Sequence, residues 1–192
     1  GTCLIQVESN DFLRSDRPVY LDFEPEDVLA GGNLVVEMNR NDVKFNNSSN
    51  SFDIEDAAYV GAGGSTDLTF QNNYFIGASS DFIEIEFIEN ATTFEGSVSV
   101  LIENNQFLHS NSDSIEITSI GAADAEETEV VVRNNDFTNT ESEGIDADWE
   151  NGLGTSGEAT LEVSSNVFFG CDTDIEVDVY DSLTGPNNVI IY

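Results

Sequence analysis

The sequence predicts an all-β chain wound into a right-handed single-stranded parallel β-helix, a β-solenoid of about six coils of ~31 residues. Three observations carry this. A short Asn-centred segment recurs at near-constant spacing, an alternating apolar strand precedes each copy, and a second alternating strand follows it.

The recurring segments are Ser9-Asn10-Asp11-Phe12, Arg40-Asn41-Asp42-Val43, Asn72-Asn73-Tyr74-Phe75, Asn104-Asn105-Gln106-Phe107, Asn134-Asn135-Asp136-Phe137 and Ser165-Asn166-Val167-Phe168. Their central Asn residues stand 31, 32, 32, 30 and 31 positions apart. Such self-similarity at a fixed period marks a stacked-repeat architecture.

The preceding strand places apolar residues five and three positions before each Asn. These are Ile5 and Val7, Val36 and Met38, Leu68 and Phe70, Val100 and Ile102, Val130 and Val132, Leu161 and Val163. Period-two alternation rich in β-branched residues marks a half-buried strand. About ten residues after each Asn the alternation returns, at 19–23, 52–55, 83–86, 115–118, 145–148 and 175–178.

Variable linkers join one repeat to the next. Gly61 to Gly64, Gly121 to Glu129 and Asn151 to Glu158 read as turns or loops along one edge, with room for a short third strand. The coils fall near 1–32, 33–65, 66–97, 98–128, 129–158 and 159–192, all in one domain. Parallel strands ~4.8 Å apart then give a rod roughly 29 Å long.

Stacking aligns Asn10, Asn41, Asn73, Asn105, Asn135 and Asn166 as a ladder. An amide both donates and accepts, and Asn tolerates left-handed backbone at a turn. Phe12, Val43, Phe75, Phe107, Phe137 and Phe168 form the column behind it. Over the whole chain this pattern resembles the repeats of the pectate-lyase-like superfamily of right-handed parallel β-helices. There, Asn ladders and aromatic stacks fill the turns and core. The resemblance implies the fold and leaves function open among lyases, hydrolases, adhesins and structural proteins.

The charge is extreme. Thirty-eight acids against five basic residues give a net charge of -33, which repels nucleic acid and anionic lipid and favours metal cations. Salt adaptation produces the same composition. No apolar run is long enough to span a membrane. The chain opens on Gly-Thr-Cys with no secretory leader, so it reads as a processed or trimmed form. Asn46, Asn47 and Asn90 stand in glycan acceptor triplets, which fits an exported, extracellular protein.

Catalysis is not expected. As the resemblance implies, pectate lyases combine Ca²⁺-binding acids with an Arg or Lys base. Here only Arg14 and Arg17 approach such a face, in one coil beside Pro18. The polygalacturonase set of Asn-Thr-Asp, an Asp pair, Gly-His-Gly and Arg-x-Lys is missing from the sequence. The one His, His109, sits in a turn without Gly neighbours. Carboxylate pairs about 5 Å apart suit retaining glycosidases, yet every coil supplies them, so they single out no site.

Between the apolar residues of the second strand, outward positions form two columns. One is Tyr20, Asp53, Glu84, Glu116, Asp146 and Glu176; the other is Asp22, Glu55, Glu86, Thr118, Asp148 and Asp178. Ten of these twelve positions are acids, against one residue in five for the chain. Two carboxylates 4.8 Å apart repel by about 0.9 kcal/mol in water and about 3.5 kcal/mol at an effective dielectric of 20. Ca²⁺ or another divalent cation, raised pKa values or salt must offset that. The columns are therefore candidate metal ligands on an exposed face, although no cofactor is required for folding.

Cys3 and Cys171 fall about five coils apart, ~24 Å along the axis, too far for an intrachain bond. Cys3 is expected before the first strand and Cys171 after the first strand of its coil, so they are either inert thiols or bonded between copies through a lateral neighbour or a shifted junction. The chain starts in a strand and ends at Val189-Ile190-Ile191-Tyr192, near the start of another coil, without a capping helix. The expected function is a self-assembling extracellular subunit of a sheath, surface layer or fibre, archaeal sheaths being one example. Its partners are copies of itself through end-to-end or lateral contacts. The alternative is a carbohydrate-binding or adhesin segment of a larger surface protein with polysaccharide as partner; third comes a degenerate polysaccharide lyase or hydrolase.

Overall fold

A computed structural model of the 192-residue chain describes residues 1–23, 32–45, 49–55, 64–87, 96–118, 127–149, 158–179 and 187–192. Each coil carries three strands. The first holds β1 (Thr2–Glu8), β2 (Asp11–Leu13) and β3 (Val19–Asp22), and the second β4 (Asn33–Asn39), β5 (Asp42–Lys44) and β6 (Phe52–Glu55). Next come β7 (Ser65–Gln71), β8 (Tyr74–Ala78) and β9 (Ile83–Glu86), then β10 (Ser97–Glu103), β11 (Gln106–Ser110) and β12 (Ile115–Thr118). The series closes with β13 (Glu127–Arg133), β14 (Asp136–Thr138), β15 (Glu143–Trp149), β16 (Glu158–Ser164), β17 (Val167–Phe169), β18 (Thr173–Val179) and β19 (Asn187–Ile191).

Every third strand pairs in parallel, which makes three sheets of seven, six and six strands. The chain is an all-β parallel β-solenoid. Like positions stack without offset: Val100 pairs with Leu68 and Val130, and Ile102 with Phe70 and Val132. The residues five and three before each ladder Asn are buried from Val36 through Val163, while Ile5 and Val7 are partly buried. One core runs the length of the stack.

The third strand differs in place from the sequence expectation. It lies directly after each Asn, as β2, β5, β8, β11, β14 and β17, between the two strands read from alternation. At three to five residues these strands are too short for alternation to show. Two of the expected linkers also shrink, since Glu127–Glu129 belong to β13 and Glu158 to β16.

The Asn ladder turns the chain from the first sheet into the second. Asn73 Oδ1 accepts from Asn41 N at 2.9 Å and from Asn41 Nδ2 at 3.0 Å, while Asn73 Nδ2 donates to Asn105 Oδ1 and to Met38 O. The same bonds recur at Asn105 and Asn135. A buried amide satisfied on both sides holds each coil to the next. The left-handed residue is the one before each Asn, not the Asn itself. Ser9, Arg40, Asn72, Asn104, Asn134 and Ser165 all have φ between 55° and 57°. That twist points the preceding side chain outward and the ladder amide inward.

Behind the ladder, Phe75, Phe107, Phe137 and Phe168 stack with centroids 4.8–5.1 Å apart and planes within 14°. Val43 interrupts this column, and Phe52 of the third sheet fills the space, edge-on to Phe75 at 5.1 Å and to Phe12 at 6.4 Å. Neighbouring coils place Val19 and Ile83 at the Phe52 position. Core volume is thus conserved across the two sheets.

A second corner repeats four residues after each Asn. Arg14, Phe45, Gly77, His109, Asn139 and Gly170 all have positive φ. His109 is therefore an exposed corner residue, with Nδ1 3.4 Å from Asn139 Nδ2. Cys3 lies inside β1 rather than before it, and is exposed; Cys171 lies between β17 and β18, half-buried. Both thiols are free. No helix among the described residues is long and apolar enough to cross a membrane.

Candidate cation site

The third sheet assembles the first acid column in strict register. Tyr20 pairs with Asp53, Asp53 with Glu84, Glu84 with Glu116, Glu116 with Asp146 and Asp146 with Glu176. In the second column Asp22 pairs with Glu55, Glu86 with Thr118 and Asp148 with Asp178.

The first column is not the exposed face that alternation suggested. Asp53 is 0% exposed, and Glu84, Glu116 and Asp146 are half-buried; only Tyr20 and Glu176 at its ends are open. The corner residues explain this, because they lean over the column. Asn50 Nδ2, for example, donates to Glu84 Oε2.

Those corner residues form a ladder of their own, two positions before the first core residue of each third-sheet strand. Asp81 N donates to Asn50 Oδ1 at 3.3 Å, Asp113 N to Asp81 Oδ1 at 2.9 Å, and Glu143 N to Asp113 Oδ1 at 2.8 Å. Ser80 Oγ also donates to Asp81 Oδ2. Asp81 and Asp113 are buried, at 4% and 8% exposure. Corner and column converge where Asp81, Asp113 and Glu116 bring carboxylate oxygens within 4.8 Å of one another.

Crowding shows in the proton affinities. Burial, reinforced by Asp81 and Glu84, pushes the Glu116 carboxyl up to about 8. Burial, then Asp53 and Asp81, pushes Glu84 to about 7. Burial and a hydrogen bond with Glu143 push Asp113 to about 7, while that same bond holds Glu143 low. Burial with Asp148 nearby raises Asp146 to about 6. At Asp53, burial raises the carboxyl and Arg17 opposes it. Four neighbouring carboxyls are thus held above the ordinary carboxylate range by burial and by one another.

Of the residues read from the sequence as ligands, the structure brings Glu116 into the cluster and sets Asp53, Glu84 and Asp146 alongside it in the column. Glu55, Glu86 and Asp148 of the second column are half-buried, while Asp22, Asp178 and Glu176 are exposed. Tyr20 Oη donates to Glu55 Oε2 at 2.8 Å, and its hydroxyl is pushed up to about 12, chiefly by that bond. Sequence reasoning missed Asp81 and Asp113. The signal for them was a polar residue at a fixed offset before each third-sheet strand, Asn50, Asp81, Asp113 and Glu143. The acceptor triplets of Asn46, Asn47 and Asn90 lie outside the described residues.

No protein-family model matches this chain, and neither a curated protein nor a solved structure matches it.

Proposed function

We propose that this chain is a structural β-solenoid of an extracellular sheath, surface layer or fibre, joined to copies of itself by end-to-end or lateral contacts. One observation carries the reading: three sheets and the Asn ladder run through the described residues in register, with a corner ladder from Asn50 to Glu143 and a ring stack from Phe75 to Phe168 beside them. A rod of that kind resists bending because each coil bonds to the next through sheets, amides and rings at once. The architecture also fits the pectate-lyase-like resemblance, and among the described residues each coil keeps the same three-strand repeat.

Copies each carrying -33 repel at low ionic strength, so assembly requires screening or bridging cations. Light scattering and negative-stain microscopy of the full chain, with and without CaCl₂, test this. Filaments or sheets that grow with Ca²⁺ support a structural subunit. A dispersed monomer at every salt and protein concentration overturns it in favour of a binding segment of a larger surface protein, which glycan arrays then address.

A further inference from the structure

The second sheet, built from β2, β5, β8, β11, β14 and β17, turns the residue two positions after each ladder Asn into the core. The residues one and three positions after it therefore face outward, and register stacks them into two columns. These twelve positions hold three acids, Asp11, Asp42 and Asp136, and one base, Lys44, a net of -2. The twelve outward positions of the third sheet hold ten acids and no base, a net of -10. In a chain of -33 the second sheet presents a nearly neutral side. Leu13, Val167 and Phe169 on it are 65%, 58% and 71% exposed, and the exposed Phe45 ring lies against Gly77 at the adjoining corner. No described strand packs on this outer side. Apolar surface left open on so charged a chain marks a contact.

The order of side chains along the face identifies what fits it. One column runs Leu13, Lys44, Ile76, Leu108, Thr138, Phe169, which is apolar, polar, apolar, apolar, polar, apolar. It reads the same from either end. A two-fold axis along the strands, midway between β8 and β11, thus lays apolar on apolar and polar on polar when a second copy packs with its rod reversed. Leu13 then meets Phe169 of the other copy, Ile76 meets Leu108, and Lys44 meets Thr138 with Asp136 diagonal to it. Charge favours the same orientation. Arg14, Arg17, Arg40 and Lys44, four of the five basic residues, lie in the first two coils, whereas residues 159–192 hold six acids and no base. Reversed rods set the base-bearing end of each copy beside the acid-only end of the other, while parallel rods set like beside like.

We propose that the outward face of the second sheet is a self-contact, on which a second copy packs side by side with its rod reversed. This rests on the proposal that copies assemble, and names the lateral face they use. The contact runs along the side of the rod and leaves both ends free. Six strands ~4.8 Å apart and about four residues wide make a face of about 29 by 13 Å, on the order of 400 Å² per copy. Two such faces bury less than the roughly 1,200 Å² of a standard interface, so a single pair is weak and gains from repetition along a polymer.

The test is thiol cross-linking of the full chain carrying Cys3→Ser and Cys171→Ser, in about 0.5 M NaCl, where the Debye length falls to about 4 Å. Into that background go Asp42→Cys or Thr138→Cys, which leave Lys44 and Asp136 in place. In the reversed pair these two sites face each other across sheets about 10 Å apart, while two copies of either site stand three coils apart, about 14 Å along the rod. End-to-end contact also leaves the two sites at least three coils apart. A bis-maleimide spanning about 12 Å should therefore join mixed chains at least about fivefold faster than either variant alone. Leu108→Asp puts a charge in the middle of the face and should remove that preference. Thr69→Asp, on the outward side of the first sheet, should keep it, and circular dichroism checks that both fold. Mixed chains that join no faster than single variants, or a preference that survives Leu108→Asp, overturn the pairing, and same-site cross-links that win mark parallel rods and overturn it too. Light scattering in CaCl₂ separates the two proposals. Filaments without the mixed cross-link overturn this face and leave assembly standing, whereas the mixed cross-link in a dispersed pair upholds the face and overturns the polymer. No cross-link, with glycan-array binding that Leu108→Asp abolishes, makes the face a sugar platform and overturns the pairing.

Discussion

Arg17 holds its guanidinium 2.9 Å from Asp53 and 4.3 Å above the Tyr20 ring, so one side chain closes the acid column at the first coil. Arg17 itself is partly exposed, but Asp53 is buried. Removing the arginine therefore leaves a buried charge without its counterion. Arg17→Met should cost about 1–3 kcal/mol in urea unfolding near neutral pH. Adding Asp53→Asn should recover most of that. Equal stability of Arg17→Met and wild type would show that the pair contributes nothing.

The Asn ladder should be strongest in the middle. Asn73→Ala strands the Asn41 amide and backbone N–H in the core, and should cost about 2–4 kcal/mol as two buried donors lose their acceptor. Asn10 is exposed, accepts from no earlier coil, and its replacement by Ala should cost under about 1 kcal/mol. Thermal melts of the two variants side by side check the contrast.

Val43 and Phe52 should be energetically coupled. Val43→Phe alone overfills the space that Phe52 occupies and should destabilise by about 1–3 kcal/mol. Phe52→Ile alone leaves a cavity and should cost a similar amount, about 1–3 kcal/mol. The double variant restores the ring column and the aliphatic column together, so its cost should fall well below the sum. Additive losses in the cycle would refute the exchange of volume between sheets.

Metal-free protein should lose stability as pH rises from about 5 to about 8. Glu84, Glu116, Asp113 and Asp146 have folded values raised to about 7, 8, 7 and 6, above those of the unfolded chain. In that window the folded state binds more protons, so unfolding free energy falls with rising pH. The penalty is complete above the folded values and relieved as pH drops through them toward the ordinary carboxylate range. Melting temperature in chelator at low salt should be higher at about pH 5 than at about pH 8. Ca²⁺ should narrow the gap by stabilising the alkaline side. A melting temperature that climbs across this window would contradict the raised values.

Much of the fold was legible because alternation and period are local properties of the chain. Val36 with Met38, or Ile83 with Ile85, announce a strand and its inward face without knowledge of any neighbour. The strand around Phe107 was not legible as such, since three to five residues after a corner carry too little alternation. The acid columns were legible as register and misread as exposure, because the cover over Glu84 comes from Asn50 on a different coil. Asp81 and Asp113 look like ordinary turn residues in sequence. Their meaning arises only when stacking sets one above the other and turns Glu116 toward both.

The two corner ladders run in opposite senses. Along the Asn ladder, N–H groups of one coil point to the oxygen of the following coil, as from Asn41 to Asn73. Along the acidic corner, N–H groups point back to the oxygen of the preceding coil, as from Asp113 to Asp81. From Asn50 to Glu143 the two faces of a coil are therefore chemically unlike: one offers Asn-ladder N–H donors beside side-chain oxygen acceptors of the corner, the other the reverse. A copy turned upside down meets like groups with like and runs its strands the wrong way. Stacking that continued the parallel sheets from copy to copy would be head-to-tail, and an open contact of that type does not close on itself. Any fibre built by such stacking has a direction, with two tips that grow at different rates and that a single capping partner could tell apart.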